Sequence, residues 1–87
     1  MKERLITTRT VKGSDGRTLT LRYFLLAERV TAKTWNFGVR VNEMESNINA
    51  LVPGLTSDAQ RVFDLIDMLV KGTVTPTGLM DVLADWL

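Results

Sequence analysis

The chain has 87 residues, 45% of them hydrophobic and 24% charged, with 11 Lys and Arg against 10 Asp and Glu. It is too apolar and too nearly neutral to be wholly disordered and has room for one core, so a single domain over residues 1–87 is expected. It contains no cysteine and no histidine, which excludes disulfide frameworks, thiolate nucleophiles, zinc–thiolate sites and imidazole acid–base chemistry.

The first five residues, Met1-Lys2-Glu3-Arg4-Leu5, are charged and lead into no apolar stretch of signal-peptide length. The longest apolar run, Tyr23 to Ala27, falls far short of the roughly 20 residues of a membrane-spanning helix, so a cytoplasmic location is expected. Leu5 to Val11 is rich in β-branched residues and reads as a strand. Lys12 to Arg17 holds two glycines and an Asp-Gly pair, the composition of a hairpin turn with positive φ. A phosphate loop would need a longer glycine spacing, a terminal Lys-Ser/Thr and a following helix, whereas here a strand follows.

That second strand, Thr18 to Val30, carries Leu19, Leu21, Tyr23, Leu25 and Ala27 on one face, which should cover the core. A third strand, Trp35 to Val41, alternates Trp35, Phe37, Val39 and Val41 with polar or small residues. Gly38 inside it marks a bulge or a close backbone approach. Ile48 to Val52 reads as a short edge strand stopped by Pro53-Gly54.

Beyond Gly54 the apolar period lengthens from two to about 3.6. Ser57-Asp58-Ala59-Gln60 fits a capping box with Ser57 as N-cap, and Ala59, Val62, Phe63, Ile66, Leu69 and Val70 form a helical stripe. Lys71-Gly72 should end that helix, with the glycine left-handed. A second helix starts with Thr75 as N-cap and Pro76 in its first turn, turns Leu79, Met80, Leu83, Trp86 and Leu87 inward, and runs to the last residue. The expected fold is therefore α+β, a four-stranded antiparallel meander followed by two C-terminal helices on one sheet face. Tyr23, Trp35 and Trp86 are expected to be core anchors.

Three groups of residues resemble a family pattern: Tyr23-Phe24-Leu25-Leu26, Phe37-Gly38-Val39-Arg40-Val41, and Val74-Thr75-Pro76 with Leu79, Asp81-Val82 and Asp85-Trp86-Leu87. The pattern is that of small uncharacterised Firmicutes proteins of unknown function, and it spans roughly residues 20–87. Trp35-Asn36-Phe37-Gly38 departs from the tyrosine-glycine pair of that pattern. The resemblance implies a bacterial cytoplasmic protein and carries over no catalytic residue.

The helical carboxylate pairs, Asp64 with Asp67 and Asp81 with Asp85, lie opposite the apolar stripes and read as solvated faces, so neither metal binding nor acid–base catalysis is expected of them. Ser14, Ser46 and Ser57 lie in no nucleophile-elbow context. The residues specify no catalytic group, cofactor or metal. Charge is more telling: residues 1–43 hold nine Lys and Arg against four Asp and Glu, and residues 44–87 two against six. With the helices on the odd face, Arg22 and Arg40, with Lys33, would project beside Phe24 and Leu26 on the open face. An exposed apolar patch of this kind marks an interface. The expected function is thus a non-catalytic interaction or regulatory module that self-associates, or docks a protein partner, through Arg22, Phe24, Leu26 and Arg40. Two other readings stay open: a loop or the N-terminal arm covering Phe24 and Leu26, and single-stranded nucleic acid held by the arginines with Phe24 stacking.

Overall fold

The computed structural model describes residues 1–87. Four antiparallel strands, β1 (Lys2–Lys12), β2 (Thr18–Arg29), β3 (Trp35–Glu43) and β4 (Ile48–Thr56), pair in sequence order. Two helices follow, α1 (Ala59–Lys71) and α2 (Leu79–Trp86), the second preceded by a 3₁₀ turn over Pro76–Gly78. This is the expected α+β meander with its C-terminal helices.

The alternation along β2 and β3 sets the core. Leu21, Tyr23, Leu25, Val39 and Val41 form one cluster with Val62, Leu65, Ile66 and Leu69 of α1 and Leu79 and Leu83 of α2. Gly16 adopts the positive φ of 83° that the hairpin turn requires, and the Asp15 carboxylate accepts from the Arg17 amide. Tyr23, at 1% exposure, is a core anchor, whereas Trp35 and Trp86 are only half-buried.

Several local expectations are corrected. β4 passes through Pro53-Gly54 as a bulge: Val39 pairs with Val52 but Phe37 with Thr56, so three residues of β4, Pro53 to Leu55, lie opposite Gly38 alone. Proline in an edge strand loses no ladder hydrogen bond when its nitrogen faces outward, and Gly54 takes a φ of 67°. The N-cap of α1 is Asp58 rather than Ser57, its carboxylate accepting from the amides of Gln60 and Arg61. Phe63 and Val70 flank the α1 stripe, which centres on Val62, Leu65, Ile66 and Leu69. In α2 only Leu79 and Leu83 are fully buried; Met80 and Leu87 are exposed, and Leu87 lies beyond the last helical residue.

The end of α1 differs as well. Gly72 is right-handed, and the left-handed position falls on Thr73 at φ 47°. The Thr73 amide donates to Val70 and the Val74 amide to Leu69, the paired bonds that terminate a helix through a left-handed residue. A β-branched side chain is strained there. Thr73→Gly is therefore expected to raise the unfolding free energy by about 1 kcal/mol in urea titration.

Two ties fix this end of α1 to the sheet. Arg9 Nη1 donates to the Val70 carbonyl at 2.9 Å, and the Tyr23 hydroxyl donates to the Val74 carbonyl at 2.9 Å. Burial pushes the Tyr23 phenol above its ordinary value of 10.0, with the Arg9 charge opposing. The raised value makes this contribution to stability complete below pH 10 and lost as the pH rises through the folded-state value. Tyr23 is the only tyrosine, so its phenolate absorbance is expected to titrate at higher pH in the folded chain than in urea.

Candidate interaction surface

The sheet face opposite the helices is ordered by cross-strand rows. Leu5 pairs with Phe24 and Phe24 with Arg40, while Arg40 pairs with Leu51. The next row runs from Glu3 through Leu26 to Gly38. Leu5 reaches this face because β1 bulges at Ile6: Leu5 pairs with Phe24 but Thr7 with Tyr23, so the alternation changes parity across the bulge.

The expected surface residues lie together on this face, but two of them are not exposed. Phe24 is 8% and Leu26 1% exposed, which corrects the reading of an open apolar patch at these positions. Two arginines pack over Phe24. The Arg40 guanidinium lies 4.0 Å from the Phe24 ring centroid and that of Arg22 lies 5.5 Å from it. Both cations gain from the ring's electron-rich face while their stems shield it from water. At Gly38, opposite Leu26, the β4 bulge folds over the sheet: a Cβ there would meet Pro53 Cα at 2.6 Å and the Val52 carbonyl oxygen closer still. Gly38 thus marks a close backbone approach, as its position in the third strand suggested. Lys33 is exposed in the turn between β2 and β3, away from this row.

Polar side chains lock the arginines in place. Arg22 donates through Nε and Nη2 to Asn42 Oδ1 at 3.0 and 2.8 Å. Buried Asn42 donates to Asn49 Oδ1 at 2.9 Å, which also accepts from Arg40 Nη1 at 2.8 Å. Arg40 Nη2 pairs with the Glu3 carboxylate. The network runs from β1 to β4, and within it only Arg40 Nε is buried without a partner. Connected networks of this kind fix side-chain rotamers and define one arrangement of a surface. The Glu3 carboxylate offsets the charge of Arg40, and the stacked guanidiniums occupy the space a base would need over Phe24.

The exposed apolar side chains on the face are the leucines at the ends of the row, Leu5 at 48% and Leu51 at 50%. Neither is legible in the sequence alone. Leu5 was hidden by the parity change at Ile6, and Leu51 by the poor alternation of its strand.

The sheet also has an uncovered end. The molecule extends 48 Å along its long axis, whereas the 13 residues of α1 span only about 20 Å. At the far end, on the helix-bearing face, Lys2 and Arg29 lie 5.9 and 5.6 Å from the Trp35 ring centroid. These residues line an open hollow of about 470 Å³ with Met1, Ala27 and Glu28. This second cationic–aromatic grouping is not legible there either; its signal is the cross-strand pairing of Arg29 with Trp35, which sequence spacing alone does not reveal.

The helical carboxylates are exposed. Asp64 accepts from Gln60 and Asp67 pairs with Lys71, whose ammonium is held above its ordinary value by that partner. No three acidic side chains converge as metal ligands would. No helix is long and apolar enough to cross a membrane.

A family model described as a family of unknown function (DUF6514) matches residues 2–87. The chain belongs to this family. The match takes in β1, and so both Leu5 and Glu3, beyond the span that the sequence resemblance covered. No curated protein and no solved structure matches the chain. For this DUF6514 member the arrangement of its own residues is the starting point for function.

Proposed function

We propose that this chain is a non-catalytic protein-interaction module of the bacterial cytoplasm, associating with itself through the outer face of its sheet. The observation that carries this reading is the pair of half-exposed leucines, Leu5 and Leu51, at the two ends of the row that holds Phe24 and Arg40. Helices cover the opposite face, so nothing in the chain needs these leucines as core. Apolar side chains around fixed, stacked arginines make a surface of the composition found at the centre of interfaces. A leucine at each end suits a two-fold contact, in which Leu5 of one copy meets Leu51 of the other and the reverse. Arg22 and Arg40 would then serve as rigid polar contacts, and Phe24 and Leu26 as the buried support beneath them.

Sedimentation equilibrium tests this reading. The native chain should have the mass of a dimer, and the Leu5→Glu/Leu51→Glu double variant, altered only at exposed positions, the mass of a folded monomer. Equal masses for the two proteins would remove the outer face from consideration.

A second reading, binding of single-stranded nucleic acid, is favoured by the Lys2, Arg29 and Trp35 grouping at the far end of the sheet. Phosphates would draw the exposed Lys2 and Arg29 side chains off the indole, leaving its face for a base to stack on. Such binding should weaken steeply between low and moderate salt, which the apolar contact proposed first should not do.

A further inference from the structure

We propose that the free edge of β1 receives an extended acidic peptide as a fifth strand, with one apolar side chain of the peptide seated between β1 and α1. This inference concerns a different surface from the outer face and does not depend on self-association there.

The strand order leaves two edges, β1 and β4. The β4 edge is broken by its bulge at Pro53-Gly54, which blunts it as a template for pairing. β1 has neither proline nor glycine in its 11 residues; its own bulge at Ile6 interrupts it once, beside α1, and the segments on either side, Lys2–Leu5 and Thr7–Lys12, have no strand on their outer side. Such an edge accepts an added strand through main-chain hydrogen bonds, and alternate side chains then supply specificity.

The helix layer reaches past what the sheet fills. Phe63, Ile66 and Val70 of α1 face Ile6 and Thr7 of β1 across an open groove of about 370 Å³, with Asp67 at its side. Phe63 is 42% exposed although Ile66, its neighbour in the groove, is buried. A fifth strand beside β1 would place an inward side chain against Phe63 and Ile6, extending the core by one position.

Charge selects the occupant. On the helix-bearing face β1 presents Lys2, Arg4 and Arg9, the partners of Ala27, Leu25 and Leu21. Lys12 closes the strand, and its one acidic residue, Glu3, points the other way and is paired with Arg40. Among groups near the groove, Asp67 is paired with Lys71, and Arg9 donates one of its terminal nitrogens to Val70. A second copy of β1 would bring a basic strand against a basic strand, which cross-strand repulsion opposes. An acidic strand gains attraction along its length. The register gives the peptide its pattern: a carboxylate opposite Arg4, an apolar residue opposite Ile6 and Thr7, and a second carboxylate opposite Arg9.

A displayed library of short random peptides, selected on the full chain, tests this. The selected peptides should be enriched in Asp and Glu on either side of one apolar position. A synthetic copy of the tightest should raise the hydrogen-exchange protection of the β1 amides. Arg4→Glu and Phe63→Glu, both at exposed positions, should each weaken its binding by about tenfold or more, while Leu51→Glu on the outer face should leave it unchanged. Failure to select any peptide, selection without acidic enrichment, or affinities unchanged in both Arg4→Glu and Phe63→Glu would overturn the proposal. Loss of binding in Leu51→Glu would overturn it too, by placing the peptide on the outer face.

Discussion

Replacing Gly38 by alanine is expected to destabilise the fold by about 3 kcal/mol, the upper range for overpacking a tight site. The added Cβ meets backbone, not a flexible side chain: Pro53 Cα lies 2.6 Å away and the Val52 carbonyl oxygen nearer. Relief requires β4 to lift off β3, which opens the bulge and exposes the row at Leu26. For a chain of this size, whose stability should be roughly 4–13 kcal/mol, such a loss would be plain in a urea titration. A loss below about 0.5 kcal/mol, the range of an ordinary surface change, would mean that the bulge is not packed on Gly38.

The second large effect is expected at Leu65. Leu65→Ala removes a fully buried side chain from the centre of the α1 contact with the sheet and should cost about 2–5 kcal/mol, the range for leucine truncation in a core. Phe63→Ala, two residues earlier, should cost less, about 1–2 kcal/mol, because the residue is already 42% exposed. Comparing the two variants by urea denaturation checks the rotation of α1 on the sheet. The opposite order of effects would require the helix to turn Phe63 inward.

This pair also shows where sequence patterning loses resolution. The period of 3.6 identified α1 and its general stripe, but apolar residues run across both Phe63 and Leu65, and hydrophobicity alone does not choose the centre of that arc. The sheet decides it. β2 and β3 were readable from their alternation because each strand has one fully apolar face, and the Asp15-Gly16 turn follows from the dihedral freedom of glycine. The β4 path was not readable, since Pro53-Gly54 is a stop signal locally and becomes a bulge only when the chain on either side can pair with β3.

The outer face was half legible for a related reason. Periodicity placed Arg22, Phe24, Leu26 and Arg40 on one side of the sheet, and they are there. Their exposure depends on cross-strand neighbours: Arg40 stacks on Phe24 from the adjacent strand, and the β4 bulge closes over Gly38. Register sets both contacts. Leu5 and Leu51 emerge from the same register, one through the parity change at Ile6 and the other by pairing with Arg40. The burial of Phe24 alters the choice of test. Phe24→Glu would bury a charge and risk unfolding the chain, whereas substitutions at Leu5 and Leu51 change the surface and leave the core intact.

The most direct test of self-association through the outer face needs no substitution. Backbone amide shifts of the native chain, followed by NMR from dilute to concentrated solution, report which residues meet a second copy. The account predicts concentration-dependent shifts centred on Leu5, Arg22, Phe24, Arg40 and Leu51, with Asp64, Asp67 and Asp81 on the helices unmoved. Shifts centred on the helices, or a monomer whose spectrum does not change with concentration, would contradict it.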